Sequence, residues 1–252
     1  MKGTFLKIAA MAVMLSSGLM LAQKQPKPKS QKEVDAIMAM QNAPDPDSRI
    51  KAATELITKF ADTEFKPFAL QIIVQSYQQK GDMENIIVSA EQLLDSDPKS
   101  YTAQLAIAGT LAQKTREFDL DKEEKLTRAE KMAMGAIESI KVAPKVNPQV
   151  TDEQWEGFKK DQMSEAYQAM GMIAMVRKKY DVAISNYKQS VDVATTPDPA
   201  TAVRLAAAYN IAGKPAEAIP VLDKVLATAN LHPAIKQFAD QEKARAVAAT
   251  KK

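Results

Sequence analysis

The chain of 252 residues has no cysteine, one histidine, one tryptophan and only eight glycines. Without cysteine there is no disulfide framework, no thiolate nucleophile, no thiolate metal ligand and no lipidated cysteine. A single histidine, His232, leaves no imidazole pair for proton shuttling or metal binding. Its neighbours Leu231 and Pro233 mark it as a turn residue. So few glycines make no phosphate-cradling loop. Charge of one sign is also lacking: 34 basic side chains face 31 acidic ones, a formal net charge of +3. That balance argues against a nucleic-acid-binding surface. No stretch alternates with period two long enough to be a strand, and no apolar run reaches the roughly 20 residues that span a bilayer.

The longest apolar run is Ile8–Leu21, preceded by Lys2 and Lys7 and followed by the small residue Ala22. This is the pattern of a secretory signal peptide of bacterial type, so residues 1–22 are expected to be removed near Ala22, leaving a periplasmic or secreted chain with no integral membrane segment. Retention of the segment as an anchor is the alternative. Residues 23–32, QKQPKPKSQK, hold four lysines, Pro26 and Pro28 with nothing to bury. They are expected to form a disordered or polyproline-like linker. Residues 33–252 then form the folded domain, ending in a terminal capping helix.

Hydrophobic residues make up 46 % of the chain and recur with helical spacing almost throughout. Helices are expected near 31–42, 47–62, 66–80, 82–96, 99–115, 121–142, 152–178, 180–195, 199–212, 215–229 and 232–250. Gly81 and Gly213 fall in tight turns between paired helices. Pro98, Pro199 and Pro233 fall at helix starts. Thr151 and Gln154 form a capping-box signature.

Three stretches lie over one another in a 34-residue frame, starting at Pro67, Ser164 and Pro199, with Pro233 in register after the last. In the first, Leu70, Ile73, Val74 and Tyr77 face Ile86, Ala90 and Leu93. In the second, Tyr167, Met170, Gly171 and Ala174 face Ala183, Tyr187 and Ser190. In the third, Ala202, Leu205, Ala206 and Tyr209 face Ala218, Leu222 and Val225. Small residues recur where two helices approach closely and large ones where space must be filled. No helix can bury its stripe alone, so neighbours must stack.

A 34-residue period with these slots resembles the tetratricopeptide repeat. The resemblance covers about 200 residues, with degenerate units from Glu33 (recognisable by 52–65) and from Tyr101, which keeps Ile107 and Ala108 but carries about a dozen extra residues before Ala133 and Ile137. It implies an all-α, right-handed superhelical solenoid of about five helix–turn–helix units. Tyr77, Gly81, Gly171, Ala183, Tyr187, Tyr209, Gly213 and Ala218 are then repeat-packing residues. The frame places Gln71, Gln75, Gln78, Gln168, Met172, Met175, Arg204 and Asn210, with Gln79, on the concave face that binds partners in this family. Neutral amides and thioethers suit a peptide backbone without selecting charge. The family's clamp for a C-terminal carboxylate is missing, since its slots hold Gln71, Gln75, Leu105, Gly109 and Gln168.

The function expected is a non-catalytic protein–protein interaction scaffold of the periplasm or cell envelope, binding a peptide or partner helix, with no cofactor and no metal. A substrate-recognition subunit of an envelope enzyme and a structural protein that self-associates through the end of its stack are the alternatives. Two further clusters are weighed against blander roles. Asp119, Asp121, Glu123 and Glu130 have the oxygen spacing of an EF-hand loop, but Glu124 stands where the loop needs Gly, so an acidic helix start is expected. Trp155, with Phe158 beside it, is expected in the core rather than at an interface.

Overall fold

A computed structural model describes residues 26–145 and 147–251; the expected signal peptide lies outside them. Eleven helices and no strand are present among the described residues: α1 Gln31–Gln41, α2 Pro46–Lys59, α3 Lys66–Lys80, α4 Met83–Ser96, α5 Tyr101–Lys114, α6 Lys122–Lys141, α7 Asp152–Val176, α8 Tyr180–Val193, α9 Pro199–Ile211, α10 Pro215–Leu226 and α11 Pro233–Thr250. Each matches an expected helix, with ends shifted by a few residues, as fraying ends do.

The helix starts follow from local chemistry. Ser30, Asp45, Asp82 and Asp198 each accept a first-turn N–H through a side-chain oxygen. Pro46, Pro67, Pro199, Pro215 and Pro233 occupy first-turn positions, where the missing N–H costs nothing. At α7 the capping box is complete: the Gln154 N–H donates to Thr151 Oγ1 at 3.1 Å and the Thr151 N–H donates to Gln154 Oε1 at 2.9 Å. His232 caps α11, its Nδ1 accepting the Ala234 N–H at 3.2 Å.

Three hairpin turns share one closure. Gly81 and Gly213 sit at φ +67° and +73°, and Lys178, at the equivalent slot, sits at φ +59°. In each turn the next residue's N–H reaches back to a helix carbonyl: Asp82 to Tyr77 (3.1 Å), Lys179 to Ala174 (2.9 Å) and Lys214 to Tyr209 (2.9 Å). The left-handed residue is thus the Schellman position of each repeat, and one repeat fills it with lysine.

The described residues divide into two compact units, 26–110 with 135–155 (unit 1), and 111–134 with 156–251 (unit 2). In unit 1, helices α1 to α4 pack in sequence, each on the next, burying Ile37, Met40, Leu56, Leu70, Val74 and Leu93. Glu33 is buried at the first of these contacts, accepting the Lys29 N–H at 2.6 Å and the Thr63 hydroxyl at 2.6 Å. The lysine- and proline-rich segment is described from Pro26, and α1 already begins at Gln31 within it. Lys29 bridges to Asp62 at 2.5 Å, so this part is tied to the chain end of α2 rather than free in solvent.

In unit 2, α9 packs against α8 and α10, and α11 closes on α10 and α9. Ala206, Ala218, Leu222 and Ala239 form one core cluster; Ala174, Ala183, Tyr187 and Leu205 form another, with Tyr209 half-buried against both. The closest approach is at Gly171. A methyl group there would stand 2.5 Å from the Tyr187 ring, so only glycine lets α7 lie on α8. Reciprocal bonds reinforce the pair: the Ser164 hydroxyl donates to the Ser190 carbonyl at 2.9 Å, and the Ser190 hydroxyl to the Ser164 carbonyl at 2.8 Å. Ser190 is therefore buried with its hydrogen bond made.

The extra residues of the degenerate unit go into a longer α6 and the loop before it, while Ile107, Ala108, Ala133 and Ile137 keep their buried slots. Trp155 is buried, as expected of a core residue. In the last helix Ala239 and Ala246 are buried, while Phe238 is 61 % exposed. Ala239 and Ala246 lie seven residues apart on one stripe of the helix; Phe238 is a hundred or so degrees off that stripe.

Candidate partner-binding face

The residues expected to contact a partner divide between the units. Gln71, Gln75 and Gln78 lie on α3 at spacings of four and three, which puts them on one helix face. Gln71 is half-buried, and Gln75 and Gln78 are exposed. Among the described residues none of the three amides makes a hydrogen bond to the protein. Their neighbour Gln79 accepts a hydrogen bond from Arg49.

In unit 2 the corresponding side chains are engaged. The Gln168 amide donates to the Thr201 hydroxyl, and to Asp198 at 3.4 Å. It thus fastens α7 to the start of α9. Asn210 donates to the Glu242 carbonyl at 3.0 Å and to its carboxylate at 2.8 Å, tying α9 to α11. The Asn210 Oδ1 is buried without a partner. Met172 and Met175 are half-buried against the Ala183–Tyr187 cluster. Arg204 alone of the five is exposed.

Polar links one repeat long were not anticipated. Lys80 pairs with Asp47, Lys214 with Asp181 (2.7 Å) and Lys29 with Asp62, each across 33 residues. Thr195 binds Asp161 across 34, through its N–H at 2.8 Å and its hydroxyl. In the first two, a lysine at a hairpin turn meets an aspartate in the first turn of the preceding repeat's second helix, where a carboxylate also favours the helix dipole. The signal was present as Lys and Asp at near-repeat spacing, but spacing does not say which of many charges meet.

The acidic cluster is resolved into separate ion pairs. Arg177 donates from Nε to Glu123 at 3.0 Å, from one Nη to Glu130 at 2.8 Å and from the other to the Thr127 hydroxyl at 3.1 Å. These partners lie on one face of α6. Burial works against the Arg177 charge, but its bonds to Glu130 and Glu123 outweigh that and raise its affinity for the proton. Asp121 pairs with Lys125 at 2.8 Å. The four carboxylates therefore do not converge on a common point. Tyr187, buried beneath Gly171, has its phenol pushed well above the usual range by desolvation, so it acts as an apolar wedge.

No family model matches the sequence, and no curated protein matches it. Among solved structures it is similar to a thermophilic TPR protein of Thermus thermophilus, with a TM-score of 0.54 and 15 % identity over 84 % of this chain and 95 % of that one. It is also similar to the MamA protein, with a TM-score of 0.53 and 15 % identity over 78 % of this chain and 91 % of that one. Identity this low speaks to the fold. Repeated hairpins closed by the same left-handed turn, with glycine on tyrosine at the tightest crossing, give that likeness its physical basis: the chain has the tetratricopeptide-repeat fold.

Proposed function

We propose that this chain is a non-catalytic protein–protein interaction scaffold, exported to the bacterial periplasm or cell envelope, that holds an extended peptide or a partner helix against the first helices of its repeats. The observation that carries the reading is the glutamine face of α3. Gln71, Gln75 and Gln78 present amide donors and acceptors that the protein itself does not use. Amides in that state suit a peptide backbone, whose own N–H and C=O groups need partners. Gln168 and Asn210 serve repeat-to-repeat fastening in the same reading, so the contact centres on unit 1.

The test is capture of partners from periplasmic extract by the full chain and by a variant with Gln71, Gln75 and Gln78 changed to Glu. Gln168 is left unchanged because it fastens α7 to α9. Loss of the captured species supports the face; an unchanged set removes it. Export is tested separately by fractionating cells that make the full-length chain. Retention in the cytosol at full length would remove the location without touching the binding reading.

A further inference from the structure

The arm that enters α1, residues 26–30, is built into unit 1. Pro26 and Pro28 are half-buried and have no backbone N–H. Of residues 26–29 only Lys27 and Lys29 carry one, and each meets a carboxylate: Lys27 donates to Glu64 at 3.0 Å and Lys29 to Glu33 at 2.6 Å. The Lys29 ammonium closes the same corner, donating to the Asp62 carbonyl at 2.8 Å and to the Asp62 carboxylate at 2.5 Å. Glu33 is the common anchor. It is 1 % exposed and stands three residues after the cap residue Ser30, whose hydroxyl accepts its N–H at 3.2 Å. That is capping-box spacing, but the carboxylate reaches past Ser30 to the Lys29 N–H. It also accepts the Thr63 hydroxyl at 2.6 Å, and Thr63 accepts the N–H of the buried Phe65 at 3.1 Å. One carboxylate thus fastens the arm, the start of α1 and the α2–α3 corner. A buried carboxylate short of donors is costly, so the arm docks as unit 1 forms.

A docked arm leaves little chain for processing. With the cut expected between Ala22 and Gln23, only Gln23, Lys24 and Gln25 separate the scissile bond from Pro26. Three residues span at most about 11 Å, roughly the diameter of one helix. A protease takes its substrate as free, extended chain on both sides of the bond it cuts. A body held this close must first release its arm.

We propose, resting on the export reading above, that docking of the arm and removal of the signal compete, and that the order decides whether the chain is released or stays at the membrane. When cleavage comes first, water adds across the Ala22–Gln23 peptide bond, leaving a carboxylate on Ala22 and an amine on Gln23. The arm then docks on a freed chain. When unit 1 folds first, Lys27 and Lys29 are held on Glu64, Glu33 and Asp62. The scissile bond is then presented only in the fraction of molecules whose arm has opened, and the apolar run Ile8–Leu21 stays attached as a tether.

The test uses the full-length chain, folded in detergent micelles, and a purified bacterial signal peptidase. The new Gln23 amino terminus is followed over time by mass spectrometry. Inserting about six Gly and Ser residues between Gln25 and Pro26 lengthens the spacer without touching the arm, and should speed cutting at least about tenfold. Asp62→Ala with Glu64→Ala removes two exposed anchors and leaves the Glu33 network in place. It should speed cutting at least about threefold. The helical circular-dichroism signal should be unchanged in both variants. Equal rates for the wild type and the insertion variant would overturn the proposal and leave the export reading standing. A double substitution without effect would overturn it too, since a short spacer rather than a docked arm would then limit cutting. An insertion variant that is itself left uncut would show that residues 1–22 are no cleavable signal, and the export reading would fall with the proposal.

Discussion

Gly171 illustrates how much a single atom decides here. A β-carbon at this position would lie 2.5 Å from the Tyr187 ring, and that ring is buried and cannot swing aside. Gly171→Ala should therefore destabilise the fold by about 1–3 kcal/mol despite alanine's better helix propensity. Urea denaturation will read it as a lower midpoint. Gly81 poses the opposite problem: nothing lies near its would-be β-carbon, but its φ of +67° is unfavourable for an L side chain. Lys178 already bears that strain at φ +59°. Lys178→Gly should relieve about 1–2 kcal/mol, offset by about 0.4–1 kcal/mol of unfolded-state entropy. The exposed Glu117 bridge adds little to the balance. A small net gain is expected, and an unchanged or lower melting temperature would count against a shared turn geometry.

At the scale of elements, the ends of α7 are held by chemistry that can be removed piecewise. Thr151→Ala deletes one half of a reciprocal cap and should cost about 1 kcal/mol, while Thr151→Ser should restore it. At the other end Arg177 reaches three partners along α6 through its planar fork. A lysine there is a single flexible point charge and cannot serve all three. Arg177→Lys should thus recover less than half of what Arg177→Ala loses. Hydrogen exchange at the α6 amides near Thr127 and Glu130 is the readout, and full rescue by lysine would show that charge alone matters. Repeat-to-repeat links such as Lys214–Asp181 are exposed, so they set register more than stability.

For the whole molecule, acid and base limits follow from paired charges. Asp45, Glu55, Asp62, Asp82, Asp121 and Asp152 are held below the ordinary carboxylate range, chiefly by hydrogen bonds from Ser48, Lys59, Lys29, Asn85, Lys125 and Lys145. A lowered folded-state pKa contributes stability above the unfolded value and loses it as pH falls through the folded one. Asp97 and Glu165 are raised by burial and act in the opposite sense. Lys29, Lys80, Lys125, Lys178 and Lys214 are raised by hydrogen bonds to their aspartate or glutamate partners. Their contribution is present below the ordinary lysine range and lost above it. Melting temperature should therefore be level between about pH 5 and 9 and decline below about pH 4 and above about pH 10.5. A steep loss of stability near neutrality would contradict this assignment.

Helix number, helix order and the small-against-large slots of each repeat were readable because they depend on local spacing. An amphipathic stripe, a proline at a helix start or a Thr–Gln cap acts within a few residues. Gly171 and Tyr187 could be matched because the period carries one slot to the next. What the chain alone left open is what each polar side chain touches. Gln71 and Gln168 share a repeat slot, yet one has a free amide and the other binds Thr201. Phe238 faces outward while Ala239 beside it is buried, and Lys178 took a glycine's conformation. These outcomes are settled by competition among partners brought together only when helices stack, and the free energies that separate such alternatives are small beside those that make a helix amphipathic.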